Sequence, residues 1–323
     1  MAEVTYLEGI RQALFEEMER DENVFVLGQD IGAYGGAFKV TEGLLDRFGE
    51  QRVIDTPISE IAIVGAAAGA AHMGMRPVVE MQFIDFIANA YDMLTNYVAT
   101  ARYRAFLPCP MVVRGPSGGY VRGGPFHSQN PEAGFVHTPG LKVVYPATTE
   151  DAHGLMKSAI RDDDCVLFFE HKYLYRRVKG TIDPGHVVPL GKARVSREGT
   201  DITIITYAAT VWKALEAAEQ LAAEGVSAEV IDLRSLVPLD EDTMLSSVRK
   251  TNRALVVHED TRTGGFAGEI IARINEHAFE WLDAPVLRVT AADIPLPYSP
   301  PLEDYVLPQV ADIVYAARRT VNY

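Results

Sequence analysis

The sequence predicts an α/β protein made of two parallel-sheet domains in tandem. Three features carry that expectation. Short apolar runs alternate with helical stripes through the first half, as the βα units of a parallel sheet do. The alternation starts afresh near residue 202, after a stretch of changed character around 180–200. The 323 residues are also too many for one average domain and comfortable for two. The expected division is a first domain over 1–185, a linker over 186–200 and a second domain over 201–323.

Taken in order, Leu7, Ile10, Ala13, Leu14 and Met18 share one face of a helix over 5–20. Val24-Phe25-Val26-Leu27 is a buried strand, and Gly28, Gly32, Gly35 and Gly36 make a flexible loop after it. A helix starts at Thr41, and Val53-Ile54 is a strand that delivers Asp55 and Glu60. A small-residue helix, a strand over 76–83, a helix over about 86–103 and a strand over 111–114 follow. Strands at 141–144 and 166–169 flank a helix near 150–161. Beyond the linker, strands at 202–205, 228–233, 254–257 and 286–289 alternate with helices at 211–222 and 265–281. A proline-rich loop at 295–301 precedes a terminal helix near 308–320.

Bulk properties narrow the function. The net charge of −14 argues against a nucleic-acid surface, which needs basic patches, and permits a basic protein partner. The two cysteines, Cys109 and Cys165, form no metal-type pair and read as buried free thiols. The N-terminus lacks the basic start and apolar core of a signal peptide. No apolar run reaches the roughly 18–20 residues of a transmembrane helix. The expected location is the cytoplasm, with no membrane partner.

The most chemical segment is Asp55-Thr56-Pro57-Ile58-Ser59-Glu60, which runs into the small-residue helix Ile61-Ala62-Ile63-Val64-Gly65-Ala66-Ala67-Ala68-Gly69. Thr56 and Ser59 are of capping type, and Pro57 suits a helix start. Small residues let a flat ligand or another backbone approach closely. Two readings stand side by side. Glu60 is a favourable acid decorating a helix N-terminus, or it is a desolvated carboxyl that trades a proton with a bound heterocycle. Burial raises a carboxyl pKa, and that is how such a group becomes useful near neutrality.

The loop 115–131 is long, glycine-rich and carries one imidazole, His127, flanked by Ser128 and Gln129. Loops of this kind are usually functional or mobile. His127 reads as a structural histidine, or as a proton donor or anion binder. Gly115-Pro116-Ser117-Gly118-Gly119 lacks the Gly-x-Ser-x-Gly spacing of a hydrolase elbow. No Walker loop, strand-following Gly-x-Gly-x-x-Gly or His-Glu-x-x-His is present.

Asp55–Glu60, Gln82-Phe83-Ile84-Asp85-Phe86, Arg102-Tyr103-Arg104, His127-Ser128-Gln129 and Phe169-Glu170-His171-Lys172-Tyr173-Leu174-Tyr175-Arg176, in this order and at these separations, closely resemble one family. It is the β subunits of the thiamine-diphosphate-dependent 2-oxo acid dehydrogenases, and the resemblance runs essentially end to end. It implies a transketolase-like fold: a parallel-sheet pyrimidine-binding domain followed by a C-terminal-type α/β domain. By resemblance Glu60 faces the N1′ nitrogen of the aminopyrimidine, and Phe86 stacks on that ring, a role compatible with plain core packing. Ile58 and Gln82 are its neighbours, and His127 assists acyl transfer to lipoamide. Ala159, Asp162 and Asp164 match a structural monovalent-cation site, expected to hold potassium through backbone carbonyls and oxygen side chains. The Asp162-Asp163-Asp164 run reads otherwise as a solvated acidic turn.

The Gly-Asp-Gly…Asn motif that holds magnesium and the diphosphate in this superfamily is absent. In two-chain members it lies on the α subunit, so an assembly of two α and two β chains is implied. A departure is Gln29, where family members carry an acid considered part of a passage between active sites. The resemblance implies oxidative decarboxylation of a 2-oxo acid with reductive acylation of lipoamide, on a dihydrolipoyl acyltransferase core. His127 to Glu132 look most like the branched-chain members, with 2-oxoisovalerate as the leading substrate and pyruvate or acetoin as alternatives. A non-catalytic scaffolding subunit and a single-chain transketolase-like enzyme are the readings from other classes. A docking face for the acyltransferase is expected near Glu276, Glu280, Asp283 and the Tyr323 carboxylate.

Overall fold

The computed structural model describes Glu3–Tyr323, and the chain divides into two compact units. The first runs to Ser117 and resumes over Gly134–Leu190; the second takes Gly118–Ala133 and Gly191–Tyr323. Within the stretch 1–185 expected for the first domain, the loop bearing His127 groups with the second unit. The reason is a set of bonds made by that loop. Gly119 donates its N–H to the Glu259 carboxylate, Tyr120 Oη donates to the Pro308 carbonyl at 2.9 Å, and Arg122 pairs with Glu303 at 2.7 Å.

Through residue 181 the elements are β1 (Glu3–Thr5), α1 (Tyr6–Arg20), β2 (Val24–Gly28), α2 (Leu44–Phe48), β3 (Val53–Asp55), α3 (Glu60–His72), β4 (Arg76–Glu80), α4 (Ala101–Ala105), β5 (Val112–Ser117), α5 (Glu132–Val136), β6 (Lys142–Val144), α6 (Thr149–Arg161), β7 (Val166–His171) and β8 (Lys179–Thr181). Helix α1 starts where Thr5 caps the Glu8 N–H while the Glu8 carboxylate returns to the Thr5 N–H, a reciprocal capping box. Its buried stripe of Leu7, Ile10, Ala13, Leu14 and Met18 is the one the spacing predicts.

In the first unit the strands lie in the order β6-β7-β5-β4-β2-β3, and every neighbouring pair is parallel. Residues of β2, β5 and β7 are buried throughout, as in a sheet covered on both faces. Register brings the strand ends level. Gly28 lies opposite both Asp55 and Glu80, and Glu80 opposite Arg114. Ligands of open parallel sheets collect at these carboxyl ends.

The single helix expected over 86–103 is instead three pieces: a 3₁₀ stretch Ile84–Ala90, a π-helical turn Met93–Val98 and α4. Side chains compete for the backbone there. Thr95 Oγ1 donates to the Tyr91 carbonyl at 2.9 Å and Thr100 Oγ1 to the Asn96 carbonyl at 2.6 Å, and such back-bonding bends helices.

The second unit holds β9 (Arg194–Arg197), β10 (Ile202–Thr206), α7 (Thr210–Ala222), β11 (Ala228–Asp232), β12 (Ser235–Val237), α8 (Glu241–Thr251), β13 (Ala254–Thr261), α9 (Ala267–Ala278), β14 (Leu287–Ala291), α10 (Pro300–Val306) and α11 (Val310–Val321). Its sheet runs β14-β13-β10-β11-β9, parallel except for β9. The expected linker 186–200 thus contains a strand, because β9 pairs with β11 and covers that sheet edge. Ile202, Ile204, Leu221, Val230, Leu255, Val257 and Ile313 form its core. Both cysteines are buried and free, and burial pushes the Cys109 thiol up to about 11. Among the described residues, no helix is long and apolar enough to cross a membrane.

Candidate active site

Glu60 is the first residue of α3 and is 7% exposed. Its carboxylate accepts from Gln29 Nε2 at 3.2 Å on one oxygen and from Asn89 Nδ2 at 3.1 Å on the other. No cationic side chain pairs with it among the described residues. Gln29 follows β2 and Asn89 lies in the 3₁₀ stretch, so three elements converge at the carboxyl ends of the sheet. The caps expected from Thr56 and Ser59 are not used. Ser59 occupies the N-cap position without a side-chain hydrogen bond, and Thr56 Oγ1 is buried with no partner among the described residues. The first turn of α3 thus lacks a side-chain cap, and a buried hydroxyl beside it has no partner among the described residues.

The neighbouring candidates sit as follows. Ile58 is 81% exposed just before α3. Phe86 is half-buried and meets Phe83 edge-on, with ring centroids 6.3 Å apart. Gln82 donates to Asp30 at 3.1 Å. Under the turn after β2, Gly32 donates its N–H to Asp55 at 2.7 Å, and a Cβ at Gly32 would lie 2.5 Å from that carboxylate. Asp55 therefore anchors the glycine loop.

Below these residues lies a buried ion cluster. Arg114, 1% exposed, contacts Glu80 and Glu170, with its second terminal nitrogen 2.6 Å from Glu170, and Tyr175 Oη donates to Glu170 at 2.6 Å. Burial pushes the Glu80 carboxyl up, with Arg114 opposing. Burial works against the Arg114 charge, yet the two carboxylates outweigh it and raise the guanidinium well above its ordinary value.

His127 lies half-buried in the loop of the second unit. The loop is pinned rather than free, since Asn130 Nδ2 donates to Glu259 at 2.8 Å and Tyr207 Oη donates to Glu132 at 2.8 Å. A Cβ at Gly124, whose φ is +68°, would fall 2.2 Å from the Tyr298 ring, so the glycine serves close packing. Gln129, Asn130, Glu259, Asp260, Thr261 and Asp293 help line a cavity of about 550 Å³ in this unit. Burial raises Glu132 well above the carboxylate range and Asp260 to about 6. His258 is pushed down to about 4, chiefly by burial.

At the end of α6 the expected side-chain ligands are already engaged. Lys142 holds both oxygens of Asp162 at 2.7 Å, and Arg102 holds Asp164 at 2.7 Å. Arg76 donates to the Ile160 and Asp162 carbonyls at 3.0 and 2.9 Å. The Ala159 carbonyl accepts from the Asp162 N–H at 3.4 Å. The carboxylates of Asp162 and Asp164 are thus committed to cationic side chains of the chain itself. No group of three or more His, Cys, Asp or Glu among the described residues is arranged to hold a metal. Asn89 escaped the sequence reading; its only local sign is an asparagine inside a helical pattern, where such residues are disfavoured.

Residues 2–178 match the transketolase pyrimidine binding domain, and residues 191–313 the transketolase C-terminal domain. The chain is 50% identical to the 2-oxoisovalerate dehydrogenase subunit beta of Bacillus subtilis (strain 168), over 100% of both chains. It belongs to the β subunits of the 2-oxo acid dehydrogenases. Within that family it is 44% identical to the pyruvate dehydrogenase E1 component subunit beta of the same Bacillus, over 100% of both. It is 46% identical to the mitochondrial pyruvate dehydrogenase E1 component subunit beta-2 of Oryza sativa subsp. japonica, covering 98% of this chain and 86% of that one. A solved split-gene transketolase, described as an inactive β4 tetramer, aligns with a TM-score of 0.82 over 99% of this chain and 98% of that one at 23% identity, a likeness of fold.

Proposed function

We propose that the chain is the β half of a branched-chain 2-oxo acid dehydrogenase that uses thiamine diphosphate and works with an α subunit in an assembly of two α and two β chains. The observation that carries this reading is the Glu60 carboxylate, buried at a helix N-terminus and met, among the described residues, by the neutral amides of Gln29 and Asn89. The orphaned Thr56 hydroxyl, the uncapped first turn of α3, the exposed Ile58 and the half-buried Phe86 fit a flat heterocycle of that kind. When bound, the cofactor supplies the electron sink for decarboxylation. Glu60 would hold or exchange a proton at a ring nitrogen of the bound group. Phe86 and Ile58 would offer apolar surface to the ring, and Gln82 would be a polar neighbour of it. His127 holds or moves a proton while the acyl group passes to lipoamide.

Magnesium and the diphosphate are assigned to the α partner, since this chain carries no Gly-Asp-Gly…Asn motif. For a potassium ion the proposal keeps Ala159, Asp162 and Asp164 at the end of α6, where binding would compete with the Lys142 and Arg102 contacts of the two carboxylates. The acyl acceptor is the lipoyl group of a dihydrolipoyl acyltransferase core. Identity of 50% to a 2-oxoisovalerate enzyme against 44% to a pyruvate enzyme of one organism supports the branched-chain substrate.

The test is Glu60→Gln in the co-expressed α–β assembly, followed by exchange of the cofactor C2 proton. Exchange should fall about 10²–10⁴-fold, as for loss of a proton-transfer group. Unchanged exchange would return Glu60 to a capping role. A panel of 2-oxo acids should show higher kcat/KM for 2-oxoisovalerate than for pyruvate, and the reverse order would reassign the substrate.

A further inference from the structure

A carboxylate only accepts hydrogen bonds, so the two amides at Glu60 must both present their NH₂ groups to it. Gln29 reaches one oxygen from the end of β2 and Asn89 reaches the other from the 3₁₀ stretch, at 3.2 and 3.1 Å. Gln29 is 5% exposed, whereas Asn89 is exposed. The choice of neutral donors has a physical consequence. An arginine or lysine in either place would form an ion pair and hold the carboxylate's charge to itself. An acid in either place would share a proton with it. Two amides do neither: they fix the plane of the carboxylate and leave its proton traffic to whatever base binds beyond it. The N-terminus of α3 favours the negative charge without adding a titratable group.

We propose that Gln29 and Asn89 are positioning residues that clamp Glu60 for proton exchange with a nitrogen base bound at the first turn of α3. The inference rests on the reading that Glu60 serves the aminopyrimidine. Asn89→Asp keeps the shape of the side chain while replacing the donor by a second carboxylate. Gln29→Met and Asn89→Leu remove the donor without adding charge. Each is made in the α–β assembly, with Glu60→Gln as reference. Three quantities are measured: the melting temperature, the Kd for thiamine diphosphate with magnesium, and the C2-proton exchange rate.

The expected result is a melting temperature close to wild type, a Kd weakened about tenfold by either donor-free variant, and exchange slowed about tenfold. Exchange in Asn89→Asp falls at least as far, although its packing is unchanged. Should the buried Gln29 variant not assemble, the exposed Asn89 pair carries the test alone. Wild-type Kd and exchange in the Asn89 variants, with exchange lost in Glu60→Gln, would overturn the clamp and leave the role of Glu60 standing. Wild-type exchange in Glu60→Gln would overturn that role and the clamp with it.

Discussion

Replacing Arg114 with Met should be among the most damaging single changes in the first unit. The guanidinium is 1% exposed, and the two carboxylates it serves, Glu80 and Glu170, are 4% and 0% exposed. Methionine fills part of the space but leaves two acids buried without a cation. Breaking a buried pair from one side costs about 3–5 kcal/mol. At about 2–4 °C per kcal/mol for a domain of 150–250 residues, that is roughly 6–20 °C in Tm. The loss also has a sign in pH. Burial already pushes Glu80 up, and without Arg114 nothing opposes that rise. A carboxyl raised in the folded state contributes stability below its unfolded value, and that contribution is lost as pH rises through the folded value. The gap between variant and wild type should therefore widen from pH 5 to pH 8, and Glu170→Gln in the variant background should narrow it. Thermal and denaturant unfolding of the α–β assembly measure all of this. A deficit under about 1 kcal/mol, the scale of an exposed pair, or one that does not change with pH, would refute the account of Arg114 as the neutraliser of the cluster.

Other consequences follow from the second unit. His258 is lowered from 6.5 to about 4, so it stays neutral in the fold; its contribution is full above pH 6.5 and is lost as pH falls toward 4, about 3 kcal/mol in all. His258→Leu should remove that part of the acid sensitivity, and identical acid profiles for variant and wild type would contradict it. His127→Ala should lose about 10²-fold or more in the lipoamide-coupled assay while carbon dioxide release with an artificial electron acceptor persists; equal, wild-type activity in both assays would make His127 structural. Glu276, Glu280, Asp283 and Tyr323 are all exposed, so association with the acyltransferase should slow as salt rises and weaken on charge reversal at the three acids. A salt-independent association rate would place docking elsewhere.

Much of the architecture was legible in the chain because local spacing encodes it. The stripe Leu7, Ile10, Leu14 and Met18 names a helix and its buried face, and Thr5 with Glu8 closes its first turn. The runs at 24–27, 166–169 and 254–257 are strands for the same local reason, and Glu60 opens α3 as Pro57 and the small residues after it require. The helix over 241–251 and the short one over 300–306 went unread, the second because its prolines resemble a loop while in fact occupying a first helical turn.

What the tertiary structure alone decided is which side chains meet. The Glu60 partners stand 31 and 29 positions away on other elements, so nothing in the neighbourhood of Gln29 or Asn89 names Glu60 as the partner. Nothing near Asp162 and Asp164 in the chain shows that Lys142 and Arg102 pair with them, or that Arg76 reaches the Asp162 carbonyl. The loop 118–133 reads as part of the first domain until Glu259 and Glu303, from the far end of the chain, bind its backbone. Hydrophobic periodicity determines an element and its inward face, because burial depends on neighbours three or four residues off. Polar pairing depends on strand order and register, so the residues that make a carboxylate useful, or use it up, appear only when the sheet is assembled.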